Sequence, residues 1–202
     1  MADHKLKNQQ PFSHKLDLWL KSDSPKTLST MNDVFAEKSF AISFLLLMSI
    51  PALPIPTGGI THVFEAITML LALEQIIGMR TIWTPKSLGK REVPKAVIKK
   101  ALPFLIRRIK WFEKYSRPRF SKFLANPLVN SMFGIIIFAL ALTAITAIPF
   151  SGLDTLPSLG IVFISLGLIL EDIVGALVGI LIGLAGVAVI FGLSQIIINL
   201  IP

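Results

Sequence analysis

The basic residues of this chain are confined to a few stretches, and that confinement limits its fold more than any single motif does. Phe40 to Met79 holds no Lys or Arg, and neither does Phe123 to Pro202, whereas Arg80 to Lys122 holds fourteen of the twenty. A soluble domain spreads charge over a solvated surface, with about a quarter of its residues charged. Here 16% are charged and 53% hydrophobic, with a net charge of +8 and a mean hydropathy of +0.71. Long cation-free apolar blocks around a basic block predict an all-α, polytopic membrane protein with the basic block on the cytoplasmic side.

Four segments follow. Residues 1–38 form a polar lead-in with six Lys against four Asp and Glu37; it lacks the apolar core of a signal peptide and reads as cytoplasmic. Two short helical pieces are expected in it, around Leu16 to Leu20 and from an N-cap at Ser29 to Lys38. Residues 39–79 form a first membrane hairpin, broken at Pro51-Ala-Leu-Pro54-Ile-Pro56-Thr-Gly58-Gly59, where three prolines remove donors and fix φ. Residues 80–127 are the basic cytoplasmic or interfacial segment. Residues 128–202 form a second hairpin, broken between Pro149 and Pro157, followed by a final membrane helix.

The limbs Phe40 to Ile50 and Gly160 to Leu170 have 11 residues each, about 17 Å of helix against a hydrocarbon core of about 30 Å. That shortness predicts re-entrant half-helices rather than external turns between spanning helices. The hairpins also resemble each other: Leu71 to Met79 matches Leu168 to Ala176 at five of nine positions, aligning Glu74 with Glu171. An internal duplication is therefore expected, as in transporter folds.

Ionisable groups inside membrane segments are costly and mark ion or proton pathways. Glu65, Glu74, Glu171 and Asp172 are the candidates, with His62 one helical turn before Glu65; the alternative for Glu74 and Glu171 is a place at the cytoplasmic interface, and for His62 and Glu65 a polar pair lining a wet turn. The half-helix starts at Thr57, Gly58 and Gly59 and at Thr155 and Ser158 are candidate anion sites, because helix N-termini favour negative groups. From Ile98, the residues Ala101, Leu102, Leu105, Ile109 and Phe112 form one apolar face of a helix bent at Pro103. Lys99, Lys100, Arg107, Arg108, Lys110 and Lys114 lie elsewhere on it and would rest among anionic lipid head groups, with Trp111 and Tyr115 as anchors. This face makes nucleic acid the poorer partner. Gly175, Gly179 and Gly183, four apart, form a small-residue stripe for helix packing.

The chain has no cysteine, which removes disulfides and thiolate chemistry. It carries no nucleotide loop, zinc spacing or nucleophile elbow, so no catalytic residue, metal or cofactor is assigned and an enzyme is not expected. Glu37-Lys38-Ser39-Phe40, the Ile50 to Gly58 break, Leu73-Glu74-Gln75, Gly78-Met-Arg80-Thr-Ile-Trp83-Thr-Pro85, Arg117-Pro118-Arg119, and Gly167-Leu-Ile-Leu-Glu171-Asp172 follow one another in that order from about residue 27 onward. In this order and spacing the sequence resembles the ExoD-type exopolysaccharide-synthesis proteins, a bacterial family. The resemblance implies a multi-pass protein of the bacterial inner membrane that supports exopolysaccharide production. With the sites above, the expected role is transport or handling of an anionic, lipid-linked phosphate precursor or a coupled ion, by a homo-oligomer. The rival is a scaffold that docks polysaccharide-synthesis proteins through the basic segment.

Overall fold

A computed structural model of the chain describes residues 11–27, 30, 34–35, 38–54, 59–79, 81–83, 98–99, 102–148 and 151–200. Eight helices and no strand occur among the described residues: α1 (Phe12–Lys21), α2 (Ser39–Met48), α3 (Ile60–Ile76), α4 (Leu102–Glu113), α5 (Ser121–Leu124), α6 (Pro127–Ile145), α7 (Thr155–Leu170) and α8 (Ile173–Leu200). They fall into two compact units, Met1–Ala36 with Trp83–Arg117, and Glu37–Ile82 with Pro118–Pro202.

In the first unit, α1 and α4 are both amphipathic and cover each other's apolar faces. Phe12, Leu16 and Trp19 are buried with Leu102, Leu105, Ile106 and Ile109. Phe35 closes this cluster, its ring 5.4 Å from Phe12 and 6.1 Å from Trp19 in edge-to-face arrangements. The apolar face expected to rest in lipid is therefore already occupied by α1. The expected bend at Pro103 falls at the edge of the described part of α4, since residues 100 and 101 lie outside the described residues. Val34 and Phe35 are helical, while Ser29, Lys100 and Ala101 lie outside the described residues.

The Glu113 carboxylate caps α1 from the neighbouring helix, accepting from the Ser13 backbone N–H at 2.9 Å and from the Ser13 hydroxyl. A carboxylate on the free N–H groups of a first turn is a charge-assisted cap. Glu113→Ala is expected to loosen α1 by about 1 to 2 kcal/mol. Limited proteolysis with cleavage mapped by mass spectrometry checks this: cutting near Phe12 should accelerate in Glu113→Ala and not in Lys114→Ala.

The second unit is a bundle of α2, α3, α6, α7 and α8. Helix α7 pairs with α8 and α3 with α6, α2 contacts both α3 and α7, and α6 also touches α7 and α8. Its core is Phe40, Phe44 and Met48 from α2, Phe133, Ile137 and Leu140 from α6, and Ile161 and Ile164 from α7. Helix α6 starts as its sequence dictates, with Asn126 accepting from the Leu128 N–H at 2.9 Å and Pro127 at the first position.

Helix α7 has 16 residues rather than the expected 11, because it begins at Thr155. Pro157 lies in its first turn, where proline is tolerated. The half-length limb therefore occurs once, in α2 with 10 residues, and not in both hairpins. Helix α6 and the Ile173–Ile196 stretch of α8 are long and apolar enough to cross a membrane.

Helix α3 is turned inside out relative to a soluble amphipathic helix. Its buried positions are Thr61, Glu65, Thr68, Ala72 and Gln75, a 4-3-4-3 spacing that puts a mostly polar stripe inward. Ile60, Val63, Leu70 and Ile77 face outward, Ile77 with 79% of its surface exposed.

Candidate functional site

Two polar centres stand at different depths in the second unit. The inner one is built on α3. Glu65 is fully buried, at 0% exposure. Its Oε2 lies 2.8 Å from His62 Nδ1, and its Oε1 has no hydrogen-bond partner. The hydroxyls of Thr68 and Ser158 are likewise buried and unpartnered, and Thr61 is buried one turn before Glu65. Asp154, at the cap of α7, is within electrostatic reach of Glu65. Buried polar atoms are usually satisfied, so the orphaned oxygens of Glu65 and Thr68, one turn apart on α3 with Asp154 in electrostatic reach of Glu65, mark a place where a proton or small cation can be held.

The helical rise gives the depth of this centre. Glu65 is ten residues from Gln75, about 15 Å along α3, and Met48 is ten residues from Lys38, about 15 Å along α2. The short helix α2 thus ends at the same distance from the polar end of the bundle as Glu65.

The outer centre is that polar end. Gln75 Nε2 donates to the Asn130 carbonyl at 3.0 Å and to Asn130 Oδ1 at 2.8 Å, clamping α3 to α6. Lys38 Nζ donates to the Ile169 carbonyl at 2.7 Å and pairs with Glu171 at 2.9 Å. A cation on the last carbonyls of α7 is favourably placed with respect to its dipole.

Glu171 and Glu74 do not occupy equivalent positions. The α7 terminus is a Schellman turn: Asp172 N–H donates to the Gly167 carbonyl and Glu171 N–H to the Leu168 carbonyl, with Glu171 at φ 57°. The α3 terminus repeats it, Met79 N–H on Glu74 and Gly78 N–H on Gln75, with Gly78 at φ 88°. Matched by this turn, Glu171 corresponds to Gly78, and Glu74 to Gly167. The sequence alignment of the two glutamates paired leucine-rich helix ends four residues out of register. Asp172 is a cap, its Oδ1 accepting from the Val174 N–H at 3.1 Å to start α8. Glu74 is half-buried on α3.

The remaining expected residues fall as follows. Thr57 and Gly58 lie outside the described residues, while Gly59 caps α3 at φ 86°. Thr155 and Ser158 occupy the first turn of α7. Arg107, Arg108, Lys110 and Lys114 are exposed on or just after α4, as is Lys99 ahead of it. An added Cβ at Gly179 would come within 2.4 Å of the Ile164 nitrogen of α7, and one at Gly183 within 2.6 Å of a Leu140 methyl of α6, whereas one at Gly175 would meet nothing nearer than Gly167 Cα at 3.4 Å. Among the described residues, no group of three His, Cys, Asp or Glu could hold a metal ion.

Residues 13–192 match the family described as exopolysaccharide synthesis, ExoD. The chain belongs to the ExoD family. Its relatives include an uncharacterised protein of Synechocystis sp., 30% identical over 87% of this chain and 84% of its own length. Another is Protein ExoD of Rhizobium meliloti, 28% identical over 72% of this chain and 61% of that protein. No solved structure matches the chain. Membership ties this chain to exopolysaccharide synthesis, and its matched region includes both polar centres.

Thr68, Asp154, Lys38, Gln75 and Asn130 were not assigned to a site by sequence reasoning, although Lys38 and Gln75 belong to the stretches that carry the family resemblance. The first and fourth carried a signal, since Thr61, Glu65, Thr68 and Gln75 repeat at heptad spacing within an otherwise apolar helix. Asp154, Lys38 and Asn130 matter through tertiary contacts that no local pattern announces.

Proposed function

We propose that this chain spans the cytoplasmic membrane through its five-helix unit and moves protons, through Glu65 and His62, to drive the handling of an anionic precursor in exopolysaccharide synthesis. One observation carries the reading: a fully buried carboxylate with a histidine on one oxygen and no partner on the other. Such a group has no stabilising use, because burying a charge costs several kcal/mol, and intramembrane acids typically serve pathways. The outward apolar face of α3 supports immersion in lipid, since water would penalise so large an exposed patch.

The depth of Glu65 fits the same reading. About 15 Å from the polar clamp is the middle of a hydrocarbon core of about 30 Å, and α2 would break there as a half-helix beside it. A duplication is supported by the packing, because exchanging α2–α3 with α6–α7 carries the α2–α7 contact onto the α6–α3 contact. Asp154 and Glu65 together make the helix breaks a cation or proton site rather than an anion site.

A second reading is favoured by the first unit, whose α4 exposes Arg107, Arg108 and Lys110 beside Phe104 and Trp111, a surface suited to docking a synthesis enzyme. Proteoliposomes with an internal pH dye separate the two. Under an imposed proton gradient, protein-dependent acidification is expected; no entry above empty liposomes would favour the scaffold.

A further inference from the structure

We propose that the polar end of the second unit holds a binding pocket for a phosphate ester with a short apolar attachment, and that Lys122 is its anion-binding residue. That chemistry is shared by a lipid-linked head group and by a free sugar or alkyl phosphate. The inference deepens the transport reading above by assigning a place to the anionic precursor, and rests on it for that role.

The pocket has a volume of about 280 Å³ and is formed where α2 and α6 begin and α3 and α7 end, with α5 beside them. This is the low end of the size range for small-ligand sites, enough for one head group. Its lining is mixed: Phe40, Leu124 and Leu168 supply apolar surface, and Lys122, Ser121 and Asn130 polar surface, with Lys38 and Glu171 also lining it. The charges decide the sign of the ligand. Lys38 is committed to Glu171 and to the Ile169 carbonyl, so those two cancel. Lys122 pairs with no carboxylate among the described residues, which leaves one net positive charge.

The donor set narrows the ligand further. Asn130 is held with Oδ1 accepting from Gln75, so its amide nitrogen remains a donor. With the Ser121 hydroxyl and the Lys122 ammonium, the lining offers donors of three kinds, which suits an anion with several acceptor oxygens. A neutral apolar ligand would leave the ammonium without a partner, and inorganic phosphate would leave the apolar lining unused. A phosphate ester uses both.

The test is calorimetric titration of the full-length protein in phosphatidylcholine nanodiscs with hexyl phosphate, inorganic phosphate and hexyl glucoside. Hexyl phosphate is expected to bind most tightly and to lose about tenfold in affinity in Lys122→Ala, the loss of one charge-assisted hydrogen bond. Glu171→Gln is expected to tighten binding, because removing the carboxylate releases the Lys38 charge into the pocket, a gain that mere misfolding would not produce. Lys21→Ala, an exposed cation of α1 in the first unit, should change nothing. Unchanged affinity in Lys122→Ala, or equal binding of hexyl glucoside, would overturn the proposal. Equal binding of inorganic phosphate would overturn the ester and assign the pocket to free phosphate. Proton flux is not read in this experiment, so a negative result here leaves the Glu65 reading standing, and failure of proton entry leaves the binding result standing.

Discussion

Glu65→Gln is expected to bring proton entry into proteoliposomes down to the level of empty vesicles while leaving the bundle assembled. The amide fills the space of the carboxylate and can still meet His62 Nδ1, now at 2.8 Å from Oε2, so the packing of α3 against α6 is preserved. What is lost is the buried carboxylate that stores the proton, leaving His62 with no acid to pass it to. The Tm in detergent should stay within about 4 °C of the wild type, equivalent to about 1 kcal/mol for a chain of this size. His62→Gln should give an intermediate rate, because that ring is partly exposed at 26% and serves the approach to Glu65 rather than the storage of the proton. Exopolysaccharide output from cells carrying Glu65→Gln should fall with the flux. A Glu65→Gln protein that conducts protons normally would remove the carboxylate from the pathway and leave the buried pair without a function.

The all-helical, apolar character of the chain, the places where the apolar blocks break and the start of α6 were legible because each depends on local chemistry. Pro127 after Asn126, and the prolines from Pro51 to Pro56, act on their own backbone whatever surrounds them. The length of α7 was misread because a proline near a helix start and a proline ending a helix look alike in sequence, and only the position of Thr155 relative to Pro157 separates them. Glu74 and Glu171 looked equivalent because leucine-rich helix ends align at several registers. The shared Schellman turn, seen only in the backbone, sets the register with Gly78 opposite Glu171. The amphipathic face of α4 was legible too, but its partner was not: a sequence pattern shows that a face must be covered and does not say whether lipid or another helix covers it. The inner polar centre lies between these cases. His62 and Glu65 announce each other by spacing, whereas Asp154 joins them only through the fold.

Gly179→Val should unfold the α7–α8 hairpin, with a loss of about 3 kcal/mol and a Tm lower by about 6 to 12 °C in detergent. The size follows from what a side chain would strike. A Cβ at Gly179 would come within 2.4 Å of the Ile164 nitrogen and 2.7 Å of the Gly160 carbonyl oxygen, and backbone cannot rotate out of the way as a side chain can. The helices would have to separate, and the contact that matters most between apolar helices in lipid is close packing itself. Gly167→Val should be as severe, its Cβ falling 2.3 Å from the Ala176 nitrogen. Gly175 belongs to the same four-residue stripe yet has only Gly167 Cα at 3.4 Å as its nearest contact, so Gly175→Ala should change Tm by no more than about 2 to 4 °C, the equivalent of about 1 kcal/mol. Thermal unfolding followed by far-UV circular dichroism checks the series. Equal tolerance at Gly175 and Gly179 would mean that the helices cross elsewhere.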